Sequence, residues 1–153
     1  MKVSDILRVK GGTLFTAKPE DSLADAAQLM AEKDLGSLVV ISNGRVVGML
    51  TFREVIKAVV KNGGAFGTTS VYRAMDDGPL ICTMETEMDE VRRMMLDRHA
   101  RYMPVINNSM LMGVISFYDV ARTVVDSQNF ENKMLKAYIR DWPEKDEASA
   151  DKD

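Results

Sequence analysis

One cysteine, Cys82, and one histidine, His99, occur among the 153 residues. That scarcity excludes an internal disulfide and a metal centre built on several cysteines or histidines. No apolar run approaches the roughly 20 residues a helix needs to cross a bilayer. The longest run, residues 38–41, has the length of a strand. The N-terminus Met1-Lys2-Val3-Ser4-Asp5 lacks the apolar core of an export signal, so cytoplasmic residence is expected. A formal charge of -3 leaves no basic excess for nucleic acid. P-loop ending, nucleophile elbow, zinc-ligand pair and closely spaced acidic dyad are all missing, which argues against an enzyme. The bulk composition is that of a globular protein, 46% hydrophobic and 28% charged.

What is present is a repeat. Gly48-Met49-Leu50-Thr51-Phe52-Arg53-Glu54-Val55 returns 65 residues later as Gly113-Val114-Ile115-Ser116-Phe117-Tyr118-Asp119-Val120. At that offset Met30, Val40, Ile41, Asn43, Val59 and Val60 also recur unchanged, and the alignment runs without a gap from about residue 14 to 61. Such self-similarity outranks any element-by-element reading.

Within a unit, Leu23, Ala26, Ala27 and Met30 fall at helical spacing, as do Met88, Val91, Met94 and Met95. Asp21 and Ser22 are expected to cap the first helix, and Thr86 the second. Residues 37–41 read as a strand, Ser42-Asn43-Gly44 as a turn and residues 45–50 as the returning strand. A helix from Phe52 is expected to bury Val55, Ile56, Val59 and Val60, and short strands are expected at 13–16 and 80–83. The unit is therefore β-α-β-β-α and the fold class α/β (α+β). Neither unit is large enough for its own core, so two are expected to pack in pseudo-twofold tandem. The expected boundaries are 1–62 and 71–126 for the units, with a glycine-rich linker at 63–70. A helix at 127–142 carries Phe130, Met134, Ala137 and Tyr138, beside Leu135, Ile139 and Trp142. Pro143 ends it, and 143–153 is expected to be a disordered acidic tail.

A hydroxyl followed three residues later by an acid, where a strand feeds a helix, has two physical readings. It is a capping box that satisfies the helix N–H groups. It is also a junction where N–H groups and helix dipole hold phosphate while the acid holds a sugar diol. Arg53 and Arg101 read either as surface ion-pair residues or as phosphate ligands. His99 is expected to be an exposed helix-end residue, Cys82 a small packed one, and the 12 methionines adaptable core.

The tandem unit, with Gly-apolar-apolar-Thr/Ser-x-x-acid at each junction, resembles the cystathionine-β-synthase (CBS) domain pair over roughly residues 1–125. Arg101-Tyr102-Met103-Pro104-Val105 resembles the family's Arg-His-Leu-Pro-Val strand. Val3-Ser4-Asp5-Ile6-Leu7 and Val71-Tyr72-Arg73-Ala74-Met75 look like its lead-in helices. The resemblance implies a non-catalytic regulatory module. It would bind an adenine nucleotide (AMP foremost, ADP, ATP or NAD possible) between the units and signal to a partner protein in trans. It also implies a homodimer, with no required cofactor, nucleic acid or membrane. Carried over by position, Thr51 and Ser116 contact phosphate, Glu54 and Asp119 the ribose, and Arg53 and Arg101 phosphate. Thr16, Lys18, Ile81, Thr83, Met103 and Tyr118 complete the implied set, with strand backbone around Thr16 and 81–83 facing adenine. Val40 and Val105 are implied as apolar walls. Glu54 stands in place of the usual Asp, Tyr102 in place of a common His, and Tyr118 where the first repeat has Arg53. Two unequal clefts are therefore expected, the one at Ser116 and Asp119 matching better. The competing expectation is a dimerisation scaffold with empty clefts.

Overall fold

The structure, a computed structural model, describes residues 1–11 and 13–140. The chain divides into two compact units, Met1–Phe117 and the segment from Tyr118 onward. The elements are α1 (Val3–Lys10), β1 (Thr16–Ala17), α2 (Leu23–Lys33), β2 (Ser37–Ser42), β3 (Arg45–Thr51), α3 (Phe52–Lys61), α4 (Val71–Ala74), α5 (Met88–Arg98), β4 (Tyr102–Asn107), β5 (Met110–Ser116) and α6 (Phe117–Arg140).

The repeat is visible in the fold down to its irregularities. Each hairpin opposes a valine to a glycine, Val40 to Gly48 and Val105 to Gly113, and each shifts register one residue later. Each turns through left-handed residues, Asn43 and Gly44 in one, Asn108 and Ser109 in the other. Helix α2 buries Leu23, Ala26 and Met30, and α5 buries Met88, Val91 and Met95, as the spacing predicts. Ser22 caps α2, its Oγ accepting the Asp25 N–H at 3.0 Å. The expected cap at Thr86 is not formed. Glu87 is the N-cap of α5, and Thr86 Oγ1 instead accepts the Thr83 N–H at 3.0 Å, closing the preceding turn. Asp21 does the same for the Lys18 N–H at 2.9 Å.

Three expectations are revised. The first short strand lies later and is shorter, Thr16–Ala17 pairing in parallel with Val39 and Val40, while within 80–83 the second repeat keeps only a Cys82–Val105 bridge. Upstream, Thr13 and Leu14 are exposed, so no burial rewards extending the strand. On α3, Val55 and Val59 are half-buried, but Ile56 and Val60 are 60% and 73% exposed and join exposed Phe52 in a separate stripe. The apolar residues span more of the helix circumference than one core-facing stripe covers. Finally, α6 is one uninterrupted helix of 24 residues where two segments are read from the sequence. No glycine or proline lies within it, and an exposed Ser127 costs a helix little. Along it Phe130, Met134, Leu135, Tyr138 and Ile139 are exposed. Trp142, Pro143 and the acidic tail lie outside the described residues.

The lead-in helices cross over. Helix α1 of the first repeat lies on β5 of the second: the Val3 and Ser4 N–H groups donate to the Thr86 and Met84 carbonyls, and Lys10 Nζ donates to the Val114 carbonyl. Helix α4 of the second repeat returns to the first: the Val71 and Tyr72 N–H groups donate to the Asp21 and Pro19 carbonyls. The motif glycines mark where each crossing touches its strand. A Cβ at Gly48 would meet Met75 and the Asp76 carbonyl, and one at Gly113 would meet Leu7. Leu7 and Met75 hold the same position in the two lead-ins.

Cys82 is buried, with its N–H on the Pro104 carbonyl and its own carbonyl accepting the Ile106 N–H. Burial pushes its thiol up to about 12, against an ordinary value of about 8.5. The folded chain keeps this proton as pH rises past that ordinary value, where the unfolded chain loses it. Stability present below about pH 8.5 is therefore expected to decline toward pH 12. A disulfide reagent at pH 8 should label Cys82 at the rate of unfolding only, and immediately in urea; fast native labelling would contradict its burial.

Candidate functional site

One cleft of about 1180 Å³ opens between the first repeat's hydroxyl–acid junction and the second repeat's approach to β4. Three segments line it: Thr51 to Asn62 at the end of β3 and along α3, Arg73 to Leu80 at and after α4, and Arg98 to Tyr102 between α5 and β4. The crossing of α4 onto the first repeat is what brings the middle segment there.

At the junction, Glu54 Oε1 accepts the Thr51 N–H at 2.8 Å and the Thr51 hydroxyl at 2.6 Å, while Thr51 Oγ1 accepts the Arg53 N–H at 3.2 Å. The capping-box reading is thus realised at this copy. It also turns a hydroxyl, a carboxylate and the first N–H groups of α3 toward one opening, the arrangement suited to a phosphorylated sugar.

The electrostatics of the cleft run against those of the whole chain. Arg53, Lys57, Lys61, Arg73, Arg98 and Arg101 line it, with only Glu54 and Asp76 as acids. Glu54 is occupied by Thr51, and Asp76 Oδ1 accepts the Gly78 N–H at 3.0 Å. None of the six cations is ion-paired among the described residues, whereas Lys2, Arg8, Arg92 and Arg122 elsewhere each meet a carboxylate.

Tyr102 closes one wall. Its hydroxyl lies against the Gly36 backbone, where any Cβ would collide with it. Gly36 is the first-repeat counterpart of Arg101, so one repeat's missing side chain makes room for the other's aromatic ring.

The structure gathers four of the implied site residues, Thr51, Arg53, Glu54 and Arg101, into this cleft. Thr16 and Lys18 line a separate cavity of about 350 Å³ beside the Asn43-Gly44 turn. Ile81 and Thr83 are exposed flanks of the Cys82 bridge, although neighbouring Leu80 does reach the cleft. Met103 is fully buried, as are Val40 and Val105, because the centres of β2 and β4 are covered on both faces; Val40 and Val105 do not line the cleft. Ser116 ends β5 half-buried, in the first unit. Tyr118, exposed, and Asp119, half-buried, lie in the first turn of α6, in the second unit. The Asp119 carbonyl accepts the Thr123 hydroxyl at 2.9 Å. Lys57, Lys61, Arg73 and Arg98 are cleft residues the sequence reading omits; the four-residue spacing of Arg53, Lys57 and Lys61 was the available signal. His99 also lines the cleft, exposed, as the left-handed residue ending α5. Among the described residues no group of His, Cys, Asp or Glu is arranged for a metal ion, and no helix is long and apolar enough to cross a membrane.

Comparison with known proteins matches the same architecture. An uncharacterized 17.7 kDa protein of Acidianus ambivalens is 37% identical over 127 residues, 82% of this chain and 74% of its own. The CBS-domain protein ATU1752 of Agrobacterium tumefaciens superposes with a TM-score of 0.75 at 32% identity, over 80% of this chain and 98% of that one. CBSX2, solved in complex with AMP, superposes with a TM-score of 0.70 at 23% identity, over 83% of this chain and 98% of that one. The CBS-domain family model matches twice, at residues 3–61 and 71–126. The paired hairpins, the crossed lead-ins and this double match make the chain a member of the CBS-domain family, carrying two CBS domains in tandem.

Proposed function

We propose that the chain is a regulatory module that binds an adenine nucleotide in the cleft at Thr51 and passes its occupancy to a partner protein in trans. The observation that carries this reading is the convergence of the Thr51–Glu54 helix start with six cations that have no ion pair among the described residues, all in one opening. The relative solved with AMP supports an adenosine ligand, a class that takes in AMP, ADP, ATP and NAD-type dinucleotides. Glu54 would offer Oε2 to the ribose hydroxyls while Oε1 stays on Thr51, and Arg53 and Arg101 would hold phosphate. The second motif, Ser116 and Asp119, carries by its sequence the same role in an unequal site. Signalling follows from whatever difference in affinity the ligand has for two arrangements of the repeats.

Thermal unfolding with and without AMP tests the reading. At about 100 times Kd a ligand adds about 2.7 kcal/mol of stability. Glu54→Gln keeps a capping-box side chain but loses the charge. The variant should unfold near the wild-type temperature without ligand and show a much smaller shift with it. A scaffold with empty clefts predicts no shift in either protein.

We also propose a homodimer. The exposed stripe Phe52, Ile56, Val60 on α3 and the apolar residues of α6 supply faces that water disfavours. Light scattering should give twice the 17.1 kDa chain mass at micromolar concentration; a monomer would refute the dimer and leave nucleotide binding standing.

A further inference from the structure

Helix α3 carries Arg53, Lys57 and Lys61, each one turn beyond the last and all on the cleft. At 1.5 Å rise per residue they form a basic ladder about 12 Å long. Like charges four residues apart destabilise a helix, and acids set between them normally relieve it. Here the one acid among them, Glu54, is held by Thr51, and the ladder's three members have no ion pair among the described residues. The rest of the lining adds Arg73, Arg98 and Arg101 against one further acid, Asp76, so on balance it strengthens the positive field instead of cancelling it. Only the first rung lies at the hydroxyl–acid junction. Lys57 and Lys61 lie one and two turns farther along, so a single phosphate seated at the helix start leaves at least the last rung, about 12 Å on, without a partner. A chain of linked phosphates leaving that junction along α3 would meet all three rungs.

Building on the nucleotide reading above, we propose that Lys57 and Lys61 form a phosphate-chain subsite, which makes the preferred ligand a nucleoside di- or triphosphate over a monophosphate. Its energy is largely electrostatic, so it weakens steeply with salt.

Titration calorimetry on the full chain, in EDTA, with AMP, ADP, ATP and inorganic tripolyphosphate tests this. Affinity should rise with each phosphate, ATP binding at least about tenfold more tightly than AMP. Tripolyphosphate should compete with ATP. Because Lys57 and Lys61 are exposed, a Lys57→Gln/Lys61→Gln variant should fold as wild type by circular dichroism and lose the ATP advantage, its ATP affinity falling to about that for AMP. AMP binding as tightly as ATP, or a double variant with unchanged ATP affinity, overturns the subsite while leaving the nucleotide reading intact. Tripolyphosphate binding without any adenine nucleotide binding upholds the subsite and overturns the adenosine ligand. Binding of none of the four overturns both.

Discussion

Gly48→Ala should destabilise the protein by about 3 kcal/mol, whereas Gly113→Ala, the same change in the same motif, should cost about 1 kcal/mol. The difference lies in what each glycine faces. A methyl on Gly48 would come 2.7 Å from the Asp76 carbonyl oxygen. That carbonyl is pinned, because Met49 and Asp76 exchange both backbone hydrogen bonds at 2.9 Å. No rotamer change relieves a clash with fixed backbone. Either the two hydrogen bonds break, at about 1 kcal/mol each, or β3 moves away from the strand it pairs with. A methyl on Gly113 meets the methyl carbons of Leu7 at 2.8 and 2.9 Å, the end of a side chain that can turn aside. Urea denaturation gives both values, as a shift in midpoint at constant slope. Equal costs would mean that the two crossings are not mechanically different. Gly48→Ala should also weaken nucleotide binding, since Asp76 and Leu80 border the cleft that β3 helps to build.

How much of this was legible in the sequence depends on the range of the interaction. Strand and helix periods are local, so Leu23, Ala26 and Met30 announced their buried face and Asn43-Gly44 its turn. The repeat doubled each signal. The crossing of the lead-ins was not legible: Leu7 and Met75 have the right apolar character to dock on either repeat, and only their packing against Gly113 and Gly48 distinguishes the choices. The candidate site divides in the same way. Thr51, Arg53 and Glu54 lie within one motif and were found. Arg73 and Arg98 come from other segments, and nothing in their own neighbourhoods points to α3. Lys57 and Lys61 were in plain view at four-residue spacing, but a lysine on a helix surface is usually just solvated. They gain meaning only because Arg73, Arg98 and Arg101 join them in one cleft.

The largest loss should follow deletion of residues 1–10, and it should fall on the second repeat although the deleted segment precedes the first. Val3 is fully buried. The Val3 and Ser4 N–H groups donate to the Thr86 and Met84 carbonyls at 2.9 and 3.0 Å, and the Met1 carbonyl accepts the Met88 N–H at 2.9 Å. Removing these uncovers the start of α5, while loss of Leu7 uncovers Gly113 and β5. Burial of an aliphatic side chain contributes about 1.5–3 kcal/mol and a backbone hydrogen bond about 1 kcal/mol. The combined loss is about 5 kcal/mol or more, comparable with the whole stability of about 5–15 kcal/mol typical of a domain. Hydrogen exchange resolves where it falls. Amides of α5, β4 and β5 should lose protection, while those of α2, β2 and β3, whose crossing partner α4 is intact, should keep more of theirs. Protection lost chiefly from α2 and β2 would show that the lead-ins serve their own repeats. Because Arg98, Arg101 and Tyr102 reach the cleft from the second repeat, the truncated chain should also lose nucleotide binding, even with Thr51, Arg53 and Glu54 still in place. The N-terminal helix, remote in sequence from every motif residue, thus controls whether the two halves of the site can meet.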